Sequence, residues 1–227
     1  FSMSVFPHLP LGQRIPASPH AVSCSLPTMR AVRGYEEKDP TIMRELESGY
    51  PRFVVHPFAV ALAAHLVAVT PGLAGRTLWL VTSDRMATAL AAQLGAGAQI
   101  FAQDGLHGVS HPASVEIFSR AKVFLQNIGG FITSRETEDH LVRLGAIAAP
   151  FAETTYAGDA AAEIRRHLRP VLPGATDSDL LIAPSGMNAI WAAFRAASDL
   201  QAARGRTIWL QLGWLYLDTI SILKKFT

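Results

Sequence analysis

Residues 180–194 read LLIAPSGMNAIWAAF. A short apolar run breaks at Pro184-Ser185-Gly186 and resumes with helical spacing, so a strand-like piece hands over to a helix across one tight joint. Ser185 stands where an N-cap belongs, and Gly186 lets other atoms come close to the backbone. A helix start carries unpaired N–H groups and about half a positive charge. Ser185-Gly186-Met187 therefore reads either as a phosphate cradle or as a plain capped helix start.

Working outward, residues 179–183 (DLLIA) predict a strand, 187–205 a long helix with Ile190, Phe194 and Ala197 on one face, and 206–214 (RTIWLQLGW) a second strand. Tyr216 follows at the C-terminal edge of that strand, where open α/β sheets bind ligands and a flat ring can stack on a planar group. The last residues read as a helix. A parallel sheet with so few strands is incomplete, so the sequence is expected to be the front part of something longer.

Upstream, residues 58–69 (FAVALAAHLVAV) predict a helix closed by Thr70-Pro71-Gly72. A strand at 76–82 leads into a helix from 85 capped by Ser83 or Asp84, followed by a strand at 98–102 and a helix at 113–126. Thr133 and Glu136 hold capping-box spacing before another helix, and 160–172 gives one more. Strands alternating with helices indicate an α/β layer arrangement. Residues 1–57 are punctuated by proline and poor in periodic apolar residues, with one short helix predicted from an Asp39 cap, Pro40 at its first position and Gly49 at its exit. Such a stretch is an arm laid over another surface.

Composition removes several functions. Apolar residues make up 49% and charged ones 17%, with a net charge of +2, so no nucleic-acid footprint emerges. A single cysteine, Cys24, permits no internal disulfide framework. His107 and His111 share an i, i+4 spacing, but Gly108 and Pro112 argue against a helix there, and no metal site is expected. No segment is apolar for the eighteen or so residues of a membrane span, and no secretory signal is evident. A cytoplasmic location is the default expectation.

One more pair matters. In SGYPRF, residues 48–53, Tyr50 and Arg52 lie two apart, so in an extended segment their phenol and guanidinium point the same way and can grasp a phosphate. Taken in order, Tyr50-Pro51-Arg52, Ser185-Gly186-Met187-Asn188-Ala189-Ile190 and Tyr216-Leu217-Asp218-Thr219 resemble three motifs of the Cys/Met-metabolism family of pyridoxal-phosphate enzymes. The arm and tail are most similar to its divergent cystathionine γ-synthase-like branch of fungi and some bacteria. The resemblance implies pyridoxal 5′-phosphate as cofactor, with Ser185, Gly186 and Met187 at its phosphate and Tyr216 stacked on its ring. Tyr50 and Arg52 would reach the phosphate of a neighbouring subunit in a homodimer or homotetramer. It further implies a transferase of transsulfuration and methionine biosynthesis, acting on small amino-acid substrates and replacing the γ-substituent of an O-acyl-L-homoserine with cysteine sulfur. The fold would be an arm (1–57), a large inserted α/β region (58–178) and the start of a fold-type I α/β/α pyridoxal-phosphate domain (179–227). The usual family members have a much shorter segment in place of residues 53–184.

The chemistry of that family needs a lysine bonded to the cofactor. Lys38, Lys122, Lys224 and Lys225 are the lysines of this sequence, and none is predicted at a strand end facing the cradle. The sequence alone thus yields half a site. The competing reading is a non-catalytic α/β assembly or phosphate-ligand-binding module that keeps the cradle without the reaction.

Overall fold

The computed structural model describes residues 8–48 and 55–226. The elements are β1 (Arg14–Ile15), β2 (Ser23–Cys24), α1 (Met29–Glu36), α2 (Pro40–Met43), α3 (Pro57–Val69), β3 (Arg76–Val81), α4 (Asp84–Leu94), β4 (Gln99–Gln103), β5 (Leu106–Pro112), α5 (Val115–Ile128), α6 (Ser134–Arg143), α7 (Ala160–Leu168), α8 (Gly186–Ala202) and α9 (Leu217–Phe226). They sort into two compact units. One takes the described residues up to Phe118 together with Phe131–Phe151; the other takes Ser119–Gly130 and the described residues from Ala152.

In the first unit the helix starts follow the predicted caps. Ser83 accepts from the Met86 amide, Thr133 from Glu136 and Asp39 from Thr41. Each cap satisfies a backbone donor that the helix itself leaves unpaired. The short α2 ends at Met43, well before Gly49, which lies outside the described residues; α1 was not anticipated. Helix α3 is apolar nearly all round and buries Ala59, Leu62 and Leu66. These pack with Leu78, Leu80, Phe101, Leu106, Ile132 and Leu141 into one core.

The α/β class holds, but the sheet in this unit is antiparallel, in the order β3-β5-β4. The cause is local. Asp104 (φ 51°) and Gly105 (φ 82°) form a two-residue turn, and Gln103 pairs with Leu106 directly across it. Two consecutive left-handed residues match the twist of a hairpin and leave no room for a crossover helix. β5, which carries His107 and His111, was not foreseen. His111 is fully buried; its Nε2 accepts from Trp79 Nε1 at 3.0 Å and its Nδ1 lies 2.7 Å from the Pro112 carbonyl. Both ring nitrogens are therefore engaged within the sheet.

The second unit contains no strand among its described residues. The two strands predicted there, at 179–183 and 206–214, form no ladder among the described residues, Asp179 instead closing a short 3-10 turn, and the parallel sheet expected from them is not found there. Leu181, Ile208, Leu210, Leu212 and Trp214 are all more than four-fifths exposed. What holds this unit is helix on helix. Met187, Phe194 and Ile222 form its buried cluster, with Ile190, Trp191 and Phe226 against it. Phe124 meets Trp191 and Phe226 edge to face at 5.8 and 5.4 Å.

His56 caps α3: its Nδ1 accepts from the Phe58 amide at 3.2 Å, while its Nε2 faces the Pro19 carbonyl at 2.8 Å. Burial holds the imidazole below the ordinary value of 6.5, opposed in part by the Pro19 hydrogen bond. Folding thus favours neutral His56, so this contribution is intact above the ordinary value and is lost as pH falls through it. Thermal melts should show stability declining as pH falls below about 6.5, with a shallower decline in His56→Asn, whose amide can still cap α3. Parallel slopes in the two proteins would contradict this assignment.

Candidate functional site

Helix α8 begins as the sequence predicts. Ser185 is extended (φ −153°, ψ 161°), and its Oγ accepts from the Asn188 amide at 3.2 Å. This leaves the Ser185 hydroxyl hydrogen free in direction and the Gly186 and Met187 amides with no acceptor among the described residues. No acidic side chain occupies the first turn of α8, so nothing there opposes an incoming anion. Open space surrounds the position that a Cβ on Gly186 would take. Met187, by contrast, turns inward at 8% exposure and anchors the helix start to Phe194 and Ile222. The arrangement is an amide-rich, uncrowded helix start on a fixed base, and such a site suits a phosphate group.

Two residues that sequence reasoning passed over shape this joint. Gly129, at φ +69°, ends α5, and a Cβ there would collide with Ser185 Oγ and press on the Asn188 amide and Met187. Asn188 donates its side-chain amide to the Ile128 carbonyl at 3.3 Å. One flank of the helix start is therefore closed by the Gly129 turn, while the Gly186 flank stays open. The Gly129-Gly130 pair was a visible turn signal. Its partner, more than fifty positions along the chain, was not.

Tyr216 immediately precedes α9 and its carbonyl accepts from the Ile220 amide at 3.1 Å. Its side chain is 59% exposed. The predicted strand behind it is absent, so no sheet edge sets the direction of the ring. Helices α8 and α9 do meet, since Ile222 belongs to the same buried cluster as Met187. Tyr50 and Arg52 lie outside the described residues. Among the lysines, Lys38 sits 4.5 Å over the Tyr35 ring, and Lys224 and Lys225 occupy the last turn of α9. Cations there complement the helix dipole, which is an ordinary structural role.

Comparison with known proteins gives the joint its context. The chain is 39% identical over 212 residues, 93% of its length, to the L-2-amino-4-chloropent-4-enoate dechlorinase/desaturase of Streptantibioticus cattleyicolor. It is 46% identical over 63 residues, 27% of its length, to a cystathionine gamma-synthase of Neurospora crassa, and 49% identical over 47 residues, 20% of its length, to one of Saccharomyces cerevisiae. The matches span 42%, 10% and 7% of those proteins, so the chain covers well under half of the relatives it resembles. No family model matches, and no solved structure does either. These matches are to a dechlorinase/desaturase and to cystathionine gamma-synthases, in agreement with the cystathionine γ-synthase-like resemblance that the three motifs carry.

Gly129→Ala should destabilise the second unit by about 1–3 kcal/mol from backbone strain, and further through the collision with Ser185. Gly174→Ala supplies the control, because Gly174 shares the left-handed backbone (φ +86°) with open space around it. In denaturant titrations of the purified chain, Gly129→Ala should therefore be the weaker of the two. Equal midpoints would show that the turn does not press on the helix start.

Proposed function

We propose that this chain provides the phosphate-holding part of a pyridoxal-phosphate-dependent enzyme acting on an L-α-amino acid with a leaving group on its γ-carbon. The observation that carries the reading is the open start of α8, where the Gly186 and Met187 amides are unclaimed and Gly186 is uncrowded. The residues present suit a phosphate ester: two amides and the Ser185 hydroxyl can donate to its oxygens, and the helix dipole favours its charge. Tyr216, exposed at the head of α9, is the candidate ring to lie against the pyridine. Tyr50 and Arg52 are assigned to the phosphate of a neighbouring subunit, in a homodimer or homotetramer. On this reading residues 1–57 serve as the intersubunit arm, 58–178 as an inserted region and 179–227 as the opening of a fold-type I cofactor domain.

Pyridoxal phosphate, when bound, supplies an electron sink that makes protons beside the amino-bearing carbon labile. The reaction assigned is γ-replacement, with the acyl group of an O-acyl-L-homoserine leaving and cysteine sulfur taking its place. The printed name of the Streptantibioticus relative favours a second substrate with the same geometry. In L-2-amino-4-chloropent-4-enoate the chloride sits on C4, the carbon that bears the acyl oxygen in an O-acylhomoserine. What the two substrates share is the position of the leaving group, and the class is defined by it.

The test uses the parent protein loaded with pyridoxal phosphate. Cystathionine formed from an O-acylhomoserine and cysteine supports replacement, and chloride released from the chlorinated amino acid supports elimination. Loss of neither group would overturn the γ-leaving-group reading. Arg52→Ala should weaken cofactor retention about ten-fold or more, as expected for loss of a charge-assisted phosphate contact, with unchanged circular dichroism. The 227-residue chain by itself should bind pyridoxal phosphate weakly, and borohydride treatment followed by mass spectrometry should find no adduct on α8 or at Tyr216.

A further inference from the structure

The β3-β5-β4 sheet of the first unit has two outer edges, and they differ. Along β3 the edge is taken up: the Ile132 amide donates to the Leu80 carbonyl at 3.3 Å, and Phe131 bridges to Val81. Leu80 thus faces away from β5, and strand alternation makes its neighbour across the ladder, Gly108, bond toward β4. Gly108 pairs with Phe101, so Gln99, Phe101 and Gln103 exchange their backbone bonds with β5. Ile100 and Ala102 then direct their amides and carbonyls outward. Neither residue's backbone finds a partner on that side among the described residues.

Natural sheets guard such an edge with lysine, proline or a bulge. Nothing of the kind guards β4. Residues 95–103, GAGAQIFAQ, hold no charge and no proline, and the ladder with β5 runs from Gln99 to Gln103 without a bulge. Ile100, 57% exposed, adds apolar surface beside the open backbone groups, whereas Phe101 on the opposite face is buried. The edge is also self-complementary. Two copies laid antiparallel about Phe101 bring Ile100 of each opposite Ala102 of the other, so every outward amide and carbonyl of these residues finds a partner. Gln99 then falls opposite Gln103, and Phe101 opposite Phe101, a cross-strand aromatic pair. The charges at the two ends suit the same register. At the start of β4 the Arg76 guanidinium donates to the Gly97 carbonyl at 2.6 Å and the Ser110 carbonyl at 3.0 Å. At its end stands the exposed Asp104. Antiparallel pairing sets Asp104 opposite Ala98 of the second copy, next to the Gly97 that its Arg76 holds, and two-fold symmetry repeats the contact.

We infer that the free edge of β4 docks a second copy of this chain, the two β4 strands pairing antiparallel so that one sheet runs through both copies. An unrelated extended strand would satisfy the backbone equally well. Only a second copy also brings Asp104 to Arg76 at both ends, which is why the edge is assigned to self-association. The inference goes beyond the proposed function, since it uses no cofactor and a surface apart from residues 1–57. A strand of five residues covers little area, so the association is weak, with a dissociation constant of about 10–100 µM.

Amide hydrogen exchange on the 227-residue chain, from about 5 µM to about 500 µM, reads alternate residues of one strand. The Ile100 and Ala102 amides should exchange about three-fold more slowly or better at the upper end, while Gln99 and Phe101, already bonded to β5, stay unchanged. Sedimentation equilibrium on the same samples should show monomer passing into dimer. Ile100→Lys, which sets a charge on the pairing edge, should weaken association about ten-fold or more. Asp104→Asn keeps a residue suited to the left-handed turn and should weaken association about two-fold, with less sensitivity to salt. A chain that stays monomeric throughout overturns the inference. So does protection of Ile100 and Ala102 that is equal at every concentration, because the edge is then covered within one chain. A dimer that leaves both amides unprotected joins by another surface and overturns it too, as does an Ile100→Lys chain that keeps its sheet and associates as before. Should that variant lose its sheet, the alternation of protection in the unmodified chain decides alone.

Discussion

A strand is stable only when a neighbouring strand takes its amides and carbonyls, and that requirement divides this chain. In the first unit β5 runs between β3 and β4, each of its pairings is antiparallel, and the apolar run Leu78–Val81 is buried as a result. In the second unit residues 206–214 have as strong an apolar pattern and no ladder partner among the described residues. Ile208, Leu210, Leu212 and Trp214 alternate in sequence and are all exposed. Unpaired backbone beside exposed apolar side chains is the signature of a sheet edge awaiting a partner. The start of α8 must therefore be held by other means, and Met187 provides them through the Phe194–Ile222 cluster.

The same division explains what was legible in the sequence. Helix starts are local events, and Ser83, Thr133, Asp39 and Ser185 each cap as their spacing predicts. Long helices such as α3 and α8 fell within a few residues of their expected bounds. Strands depend on contacts far along the chain, so the patterns at 179–183 and 206–214 could announce a propensity but not a partner. β5 was missed for a different reason. Its residues 106–112, LHGVSHP, carry little apolar alternation, although Asp104-Gly105 ahead of them is a short-range hairpin signal. At the candidate site the Ser185 cap was readable, but the closure of its flank by Gly129 was not, because no local pattern links residues 129 and 185.

The two kinds of relatedness carry different information. Short matches of 47 and 63 residues at nearly half identity connect parts of the chain to cystathionine gamma-synthases. The longer match covers 212 of the 227 residues, which leaves no room for residues 58–178 to fall outside it. Residues 58–178 thus fall within the stretch matched to the Streptantibioticus protein.

That region also answers a physical need of the arm. Residues 8–48 contribute only a two-residue strand pair and two short helices, too little apolar surface to order themselves. A buried His20–Glu138 contact fixes them to α6, which lies within residues 58–178. A phosphate is gripped tightly only by donors that are already in place, because ordering a loose guanidinium on binding costs much of what the contact returns. On the proposed reading, the amides of α8 are held in place by Met187, and the described part of the arm, residues 8–48, by His20. Each half of the grip would then be organised by its own buried anchor before any ligand arrives.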